Sequence, residues 1–261
     1  MIATIGLVIL AASSVANLLL GYVVFNKNRA HRANQLFGVL SVALVGWSTA
    51  AHYGILGASQ LSPDVVFLFL RLVFSFVALQ NLAFFLFIAI FPGQRVTINR
   101  LFASVITLFG SIMVVLPFSG DFFASYMDTQ LMPGPGMMIL MLSILFFAIG
   151  GLSVLGSKLR HLDIQSKNQA RYLMVAAVIL WVLVPVVDFI LPTFLGLNFS
   201  YILSPVVALL FALTIAYAII RERLFDIRPV VARSASYGLF LITLVVGYVA
   251  IAFAISNFFI K

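Results

Sequence analysis

The chain has 261 residues, of which 64% are hydrophobic and 8% are charged, and its net charge is +8. A soluble domain is about 45–50% apolar and about 25% charged, so this composition excludes an ordinary water-soluble protein and indicates one whose side chains mostly face lipid. The absence of cysteine removes disulfides, thiolate catalysis and cysteine-ligated metals.

Long apolar runs divide the chain into candidate membrane spans. A transmembrane helix needs about 20 apolar residues, and the first run lacks the basic leader and cleavage site of a signal peptide. The sequence predicts an all-α, polytopic membrane helix bundle with a seven-helix domain over residues 1–220, an amphipathic connector over 221–236 and an eighth helix over 237–261. The eight predicted spans are Ile2–Phe25, Gln35–Ile55, Val65–Phe91, Leu101–Leu116, Met137–Leu155, Tyr172–Leu191, Tyr201–Ile220 and Tyr237–Ile260.

Basic residues occupy every second gap between these spans. Thirteen of the 15 Lys and Arg residues lie in the odd-numbered gaps, and the even-numbered gaps carry none: the thirteen are Lys27, Arg29, Arg32, Arg95, Arg100, Lys158, Arg160, Lys167, Arg171, Arg221, Arg223, Arg228 and Arg233. Short loops rich in Lys and Arg stay in the cytoplasm, so we expect the N-terminus outside. Dispersed over four loops, this charge predicts contact with anionic membrane lipids and does not indicate nucleic acid.

Three ionisable residues fall inside spans, where such groups are costly and usually functional. The topology places Arg71, Asp188 and His52 at a similar depth in the outer third of the bilayer. An Arg71–Asp188 ion pair would either lock helices in register or contact a ligand. His52 is either an interfacial or core histidine or a group that responds to pH.

Two prolines suggest a pocket beside these residues. Pro185 precedes Asp188 by one turn, Pro205 follows Ser204, and a proline within a helix bends it by removing a backbone hydrogen bond. We expect Trp181, Tyr201 and Ser204 to line this pocket with the three ionisable residues, for a small ligand.

Amide side chains lie deeper in the first and third spans. Asn17, Gln80 and Asn81 predict hydrogen bonds between helices rather than a permeation path. The longest outer loop, Phe118 to Gly136, mixes aromatic residues with two aspartates. It is interpreted either as a lid or as an aromatic anchor in the membrane interface.

Catalytic patterns are missing from the sequence. No glycine-rich phosphate loop and no HExxH motif occurs, no late span carries a lysine for a retinal Schiff base, and no carboxylates have catalytic spacing. The sequence therefore predicts no enzyme within this chain, no cofactor and no metal.

Several segments resemble a known family. The stretch TIAYAIIRERLFDIRPVVARS, Thr214 to Ser234, is similar to the exit from the seven-helix sensor region at the N-terminus of bacterial membrane histidine kinases. The stretch NRAHRANQLFGVLSVALVGW looks like its first cytoplasmic turn, with Asn34, Phe37 and Trp47 at matching places. Phe91-Pro92 and QARYLMVAAVILWVLVPVVDFILP agree with its third and sixth spans.

This resemblance implies a sensor or receptor module of a two-component system in the bacterial inner membrane, and it implies a homodimer. The kinase domains of such proteins are absent, so the chain is expected to be either a fragment or a sensor without its own output. We expect the connector to relay a signal, although a basic stop anchor explains it equally well. The residues assigned to this coupling are Arg221, Arg223, Leu224, Phe225, Asp226 and Arg228.

Two other functions remain open from the residues. A small transporter or channel would need a continuous polar path, for which the inner half offers only Asn17, Gln80 and Asn81. A structural membrane scaffold would need no ligand at all.

Overall fold

The computed structural model describes residues 2–56, 61–91, 99–127, 130–160, 162–196 and 200–222. Within these ranges, seven helices are long and apolar enough to cross a membrane. The predicted class, a polytopic membrane helix bundle, is confirmed. The predicted eighth span and most of the connector lie outside the described residues, as do any contacts that they make.

The described elements follow the predicted spans closely. They are α1 (Ile2–Lys27), α2 (Arg32–Leu56), α3 (Pro63–Ile90), α4 (Arg100–Val115), a 3-10 turn (Leu116–Phe118), β1 (Phe123–Met127), β2 (Gln130–Pro133), α5 (Pro135–Leu159), α6 (Ile164–Val178), two π-helical turns (Ile179–Leu183 and Val186–Ile190), α7 (Leu191–Leu195) and α8 (Ser200–Glu222). We call the continuous stretch from α6 to α7 the sixth span.

The core forms around α2 and α3, which make the most extensive helix pair in the described chain. They run antiparallel, since Gly46 of α2 meets Phe76 of α3 while Phe37 lies 6.0 Å from Phe87 between ring centroids. Helix α8 packs against α1, α2 and α6, and α3 also contacts α4 and α5. This arrangement places α3 and α8 where they can touch several spans at once.

One end of the bundle, the basic end, carries the Lys- and Arg-rich turns. Here Lys158 of α5 is buried, and its Nζ donates to the carbonyls of Ile88, Ala89 and Phe91 at 2.7, 3.1 and 3.3 Å. These carbonyls end α3 and carry the negative pole of its dipole, so a cation stabilises them. The Asn34 amide similarly donates to the Val24 carbonyl at 2.8 Å.

The opposite end, the hairpin end, is where the structure departs from the predicted loop. Strands β1 and β2 form an antiparallel hairpin in which Tyr126 pairs with Leu131. Phe122 is fully buried and lies 5.3 Å from Phe74 of α3 between ring centroids. Phe122 therefore anchors the start of this segment in the core. The two strands have only 5 and 4 residues, which is too short for an alternation of apolar and polar residues to reveal them in the sequence.

A glycine lets the hairpin close against its own start. The Gly134 amide donates to the Phe122 carbonyl at 3.0 Å, and a Cβ at Gly134 would overlap the Asp121 carbonyl oxygen. The Pro-Gly-Pro-Gly stretch thus brings the chain back to Asp121 and Phe122, just before the hairpin, and α5 begins there.

Candidate functional site

The sixth span contains two widened turns, and each carries one of the predicted site residues. Trp181 lies in the first π turn and Asp188 in the second, with Pro185 between them. Proline has no N–H to complete an α-helical hydrogen bond, which accounts for a local change of winding beside it. Such π turns are rare and occur often at functional sites.

The carboxylate of Asp188 joins three spans. Its Oδ2 accepts a hydrogen bond from Nε1 of Trp47 in α2, and its Oδ1 accepts one from Oγ of Ser204 in α8 at 3.1 Å. Trp47 and Ser204 are both fully buried, whereas Asp188 is half-buried. Hydrogen bonds to a carboxylate are stronger than those between neutral groups, so Asp188 ties α2 and α8 to the sixth span.

Trp181 makes the second link, between the sixth span and α3. Its Nε1 donates to Oδ1 of Asn81 at 2.7 Å, and the Asn81 amide nitrogen donates to the Val77 carbonyl at 2.7 Å. The outer edge of the indole lies against Gly151 of α5, where a Cβ would overlap Cη2 of Trp181. The predicted interhelical role of Asn81 is confirmed, as is that of Asn17, whose Nδ2 donates to the Ala208 carbonyl at 3.1 Å.

His52 and Tyr201 lie at the hairpin end of the same region. His52 is buried at 1% exposure and stacks edge-on with Tyr53 at 5.4 Å between ring centroids. Its Cε1 is 3.1 Å from where a Cβ of Gly6 in α1 would lie, and Ile202 of α8 contacts the same point. Tyr201 belongs to the first turn of α8, and its side chain lies outside the described part of the structure.

Arg71 does not share this cluster. Its guanidinium Nη1 donates to the carbonyl of Phe118, in the turn after α4, at 3.2 Å. The described contacts of Arg71 and Asp188 thus do not include the expected ion pair. The physical reason is direction: Arg71 shares a helix face with Leu82, which meets Gly110 of α4, while Asp188 faces α2 and α8.

The family described as "N-terminal 7TM region of histidine kinase" matches residues 9–229 of this chain. The chain belongs to this family. It is therefore a multi-pass membrane protein of the sensor-region type, and the matched region is an N-terminal module rather than a catalytic domain. No curated protein and no solved structure matches the chain.

The family match extends through the predicted coupling segment, of which the structure describes only the start. Arg221 is exposed, and its Nη1 donates at 2.8 Å to the hydroxyl of Tyr217, which lies one turn earlier in α8. The other predicted coupling residues, Arg223, Leu224, Phe225, Asp226 and Arg228, lie outside the described residues. Their role stays a prediction.

Sequence reasoning missed Trp47 as a hydrogen-bond partner of the Asp188 carboxylate. A buried tryptophan N–H needs an acceptor, so Trp47 and Asp188 were a matched donor and acceptor, but 141 residues separate them. Gln80 is the reverse case. Its side chain is 1% exposed, and within the described structure its amide nitrogen and oxygen have no hydrogen-bond partner, so the predicted interhelical bond is not seen.

Proposed function

We propose that this chain is the stimulus-receiving module of a two-component signalling protein, and that the Asp188 carboxylate is its switch. The observation that carries this is the pair of bonds from Trp47 and Ser204, which tie α2 and α8 to the second π turn. A small ligand or a proton that competes for this carboxylate would free both helices. The family match supports the sensor class, and the ligand belongs to the proposal.

The relay runs along the sixth span. A π turn holds one residue more than an α turn, so converting it to α geometry shifts everything beyond it by about 1.5 Å and about 100°. Two such turns near the hairpin end give the span alternative registers. Breaking the bonds at Asp188 would favour one register over another, and the basic end of α6 would move with it.

The orientation follows from charge. Retention of Lys- and Arg-rich turns in the cytoplasm supports an inner-membrane topology with the N-terminus outside and the basic end inside. Asp188, His52 and Tyr201 would then be reached from the exterior, and α8 would deliver the change to output domains beyond Arg221. The homodimer implied by histidine-kinase architecture is part of the same proposal.

The test uses the absence of native cysteine, which makes any introduced cysteine unique. Spin labels at Lys27→Cys and Ile164→Cys, both exposed at the basic end, report the distance between α1 and α6. We expect Asp188→Asn to shift or broaden this distance distribution in lipid nanodiscs. The matched control is Asp64→Asn, which neutralises an exposed acid at the hairpin end.

The expected result is a change with Asp188→Asn and none with Asp64→Asn. An unchanged distribution in a folded Asp188→Asn protein would overturn the relay while leaving the family assignment intact. A change of equal size in both variants would assign the effect to surface charge and would also overturn it.

A further inference from the structure

A large groove opens at the basic end, and none of its described lining residues belongs to the Asp188 site. It has a volume of about 1370 Å³ and lies between the start of α2, the end of α3 and one face of α4. Its mouth is formed by His31, Arg32, Asn99 and Arg100. Pockets that bind small molecules have volumes of about 300–1,000 Å³, so this groove has room for a ligand larger than a typical small molecule.

The wall that α4 contributes carries a row of polar side chains beside the apolar Ala103 and Leu108. Arg100, Ser104, Thr107 and Ser111 follow one another at spacings of four, three and four residues, which places them on a single helix face. The hydroxyls of Ser104, Thr107 and Ser111 each bond to the carbonyl four residues earlier, at 3.1, 2.7 and 2.8 Å. Their hydrogens are thus already bonded to the helix backbone, which lowers the desolvation cost of laying an apolar chain against them.

The mouth of the groove is built for a negative group. Arg32 and Arg100 are exposed, and Nδ1 of His31 is buried with no hydrogen-bond partner in the described structure. The two guanidinium groups therefore present positive charge at the mouth beside His31, with no acidic side chain among the described lining residues.

The length of the groove identifies the ligand class. From Arg100 to Ser111, α4 rises about 16 Å, which is close to half of the roughly 30 Å hydrocarbon core. An occupant would have its charge at the membrane surface and its body across one leaflet. Free phosphate satisfies only the mouth, whereas basic pockets between transmembrane helices bind anionic lipid headgroups.

We propose that this groove is a binding site for one anionic phospholipid, with its phosphate at Arg32, Arg100 and His31 and an acyl chain along the Ser104–Thr107–Ser111 face of α4. The site is separate from Asp188 and shares no side chain with it. A lipid held there would bridge α2, α3 and α4 at the basic end.

The test is native mass spectrometry of the full chain, released from detergent with phosphatidylglycerol or phosphatidylcholine added. We expect one phosphatidylglycerol to be retained in preference to phosphatidylcholine. Arg32→Gln with Arg100→Gln should weaken that binding about 30-fold, since each surface cation contributes about fivefold. The matched control, Lys167→Gln with Arg171→Gln, removes the same charge from α6 outside the groove and should change binding less than about threefold.

A second pair of variants tests the groove itself without altering charge. Thr107→Trp places a bulky side chain where the acyl chain would lie and should abolish retention of phosphatidylglycerol. Val105→Trp, on the lipid-exposed face of α4, should leave that retention intact. This pair decides the question if the arginine variant fails to fold.

Three results would overturn the assignment. Equal loss in the two charge-matched pairs would indicate a diffuse annulus of lipids. Unchanged binding in Thr107→Trp would show that no chain occupies the groove. Displacement of the lipid by millimolar inorganic phosphate would show that only the headgroup is bound.

Discussion

The sixth span and α4 use their polar side chains in opposite ways. Trp181 and Asp188 bond across to α3, α2 and α8, whereas the hydroxyls of α4 bond to its own backbone. The packing agrees, since 50% of the apolar window of the sixth span is buried against 22% of that of α4. A polar side chain in a span thus links two helices only where it bonds to a helix other than its own.

This comparison predicts a large difference between two glycines of α5. Gly151→Leu would push Trp181 off Asn81 and overpack the interior, so we expect it to lower the free energy of unfolding in mixed detergent micelles by at least about 3 kcal/mol. Gly156 has open space around it, and Gly156→Leu should change stability by less than about 1 kcal/mol. Similar losses from both substitutions would contradict the tight contact between α5 and the sixth span.

An intermediate effect is expected for the bond between Trp47 and Asp188. A double-mutant cycle of Trp47→Phe and Asp188→Leu isolates the pair, since leucine offers the indole N–H no acceptor. We expect a coupling of about 1–2 kcal/mol, above the roughly 0.6 kcal/mol average for hydrogen bonds between membrane helices, because the acceptor is a carboxylate. The measurement is the free energy of unfolding of the four proteins in the same micelles. Additive losses would show that the two side chains do not share this bond.

The smallest expected difference in stability is between two serines that both donate a hydrogen bond, Ser204 to another span and Ser111 to its own helix. Ser204→Ala removes a donor to Asp188 and should cost about 1 kcal/mol, while Ser111→Ala removes a bond within α4 and should stay within about 0.5 kcal/mol of the parent protein. Thermal unfolding in detergent ranks the two variants. A larger loss for Ser111→Ala would reverse the distinction between the two spans.

Hydropathy and charge predicted much of the fold because both are local. Six of the predicted spans coincide with described helices within about four residues, since the length of a span is set largely by the thickness of the bilayer. The sixth begins at Ile164, eight residues before the predicted Tyr172. The inward-facing amides Asn17 and Asn81 were also predictable, because an isolated amide in hydrocarbon needs a partner. The depth shared by Arg71 and Asp188 was a weaker guide, since depth says nothing of direction around a helix.

The sequence alone determined that this chain is a multi-span helical membrane protein. It also carried the likeness that identifies the family, and it indicated which residues were worth testing. Only the tertiary structure decided that Trp47 and Ser204, not Arg71, bond to Asp188, and that the outer loop folds into a hairpin over Phe74. The physical reason is that two π turns change the angle at which Trp181 and Asp188 leave the sixth span. An α-helical projection of the sequence therefore cannot place them, and their partners lie 100 and 141 residues away or across a loop.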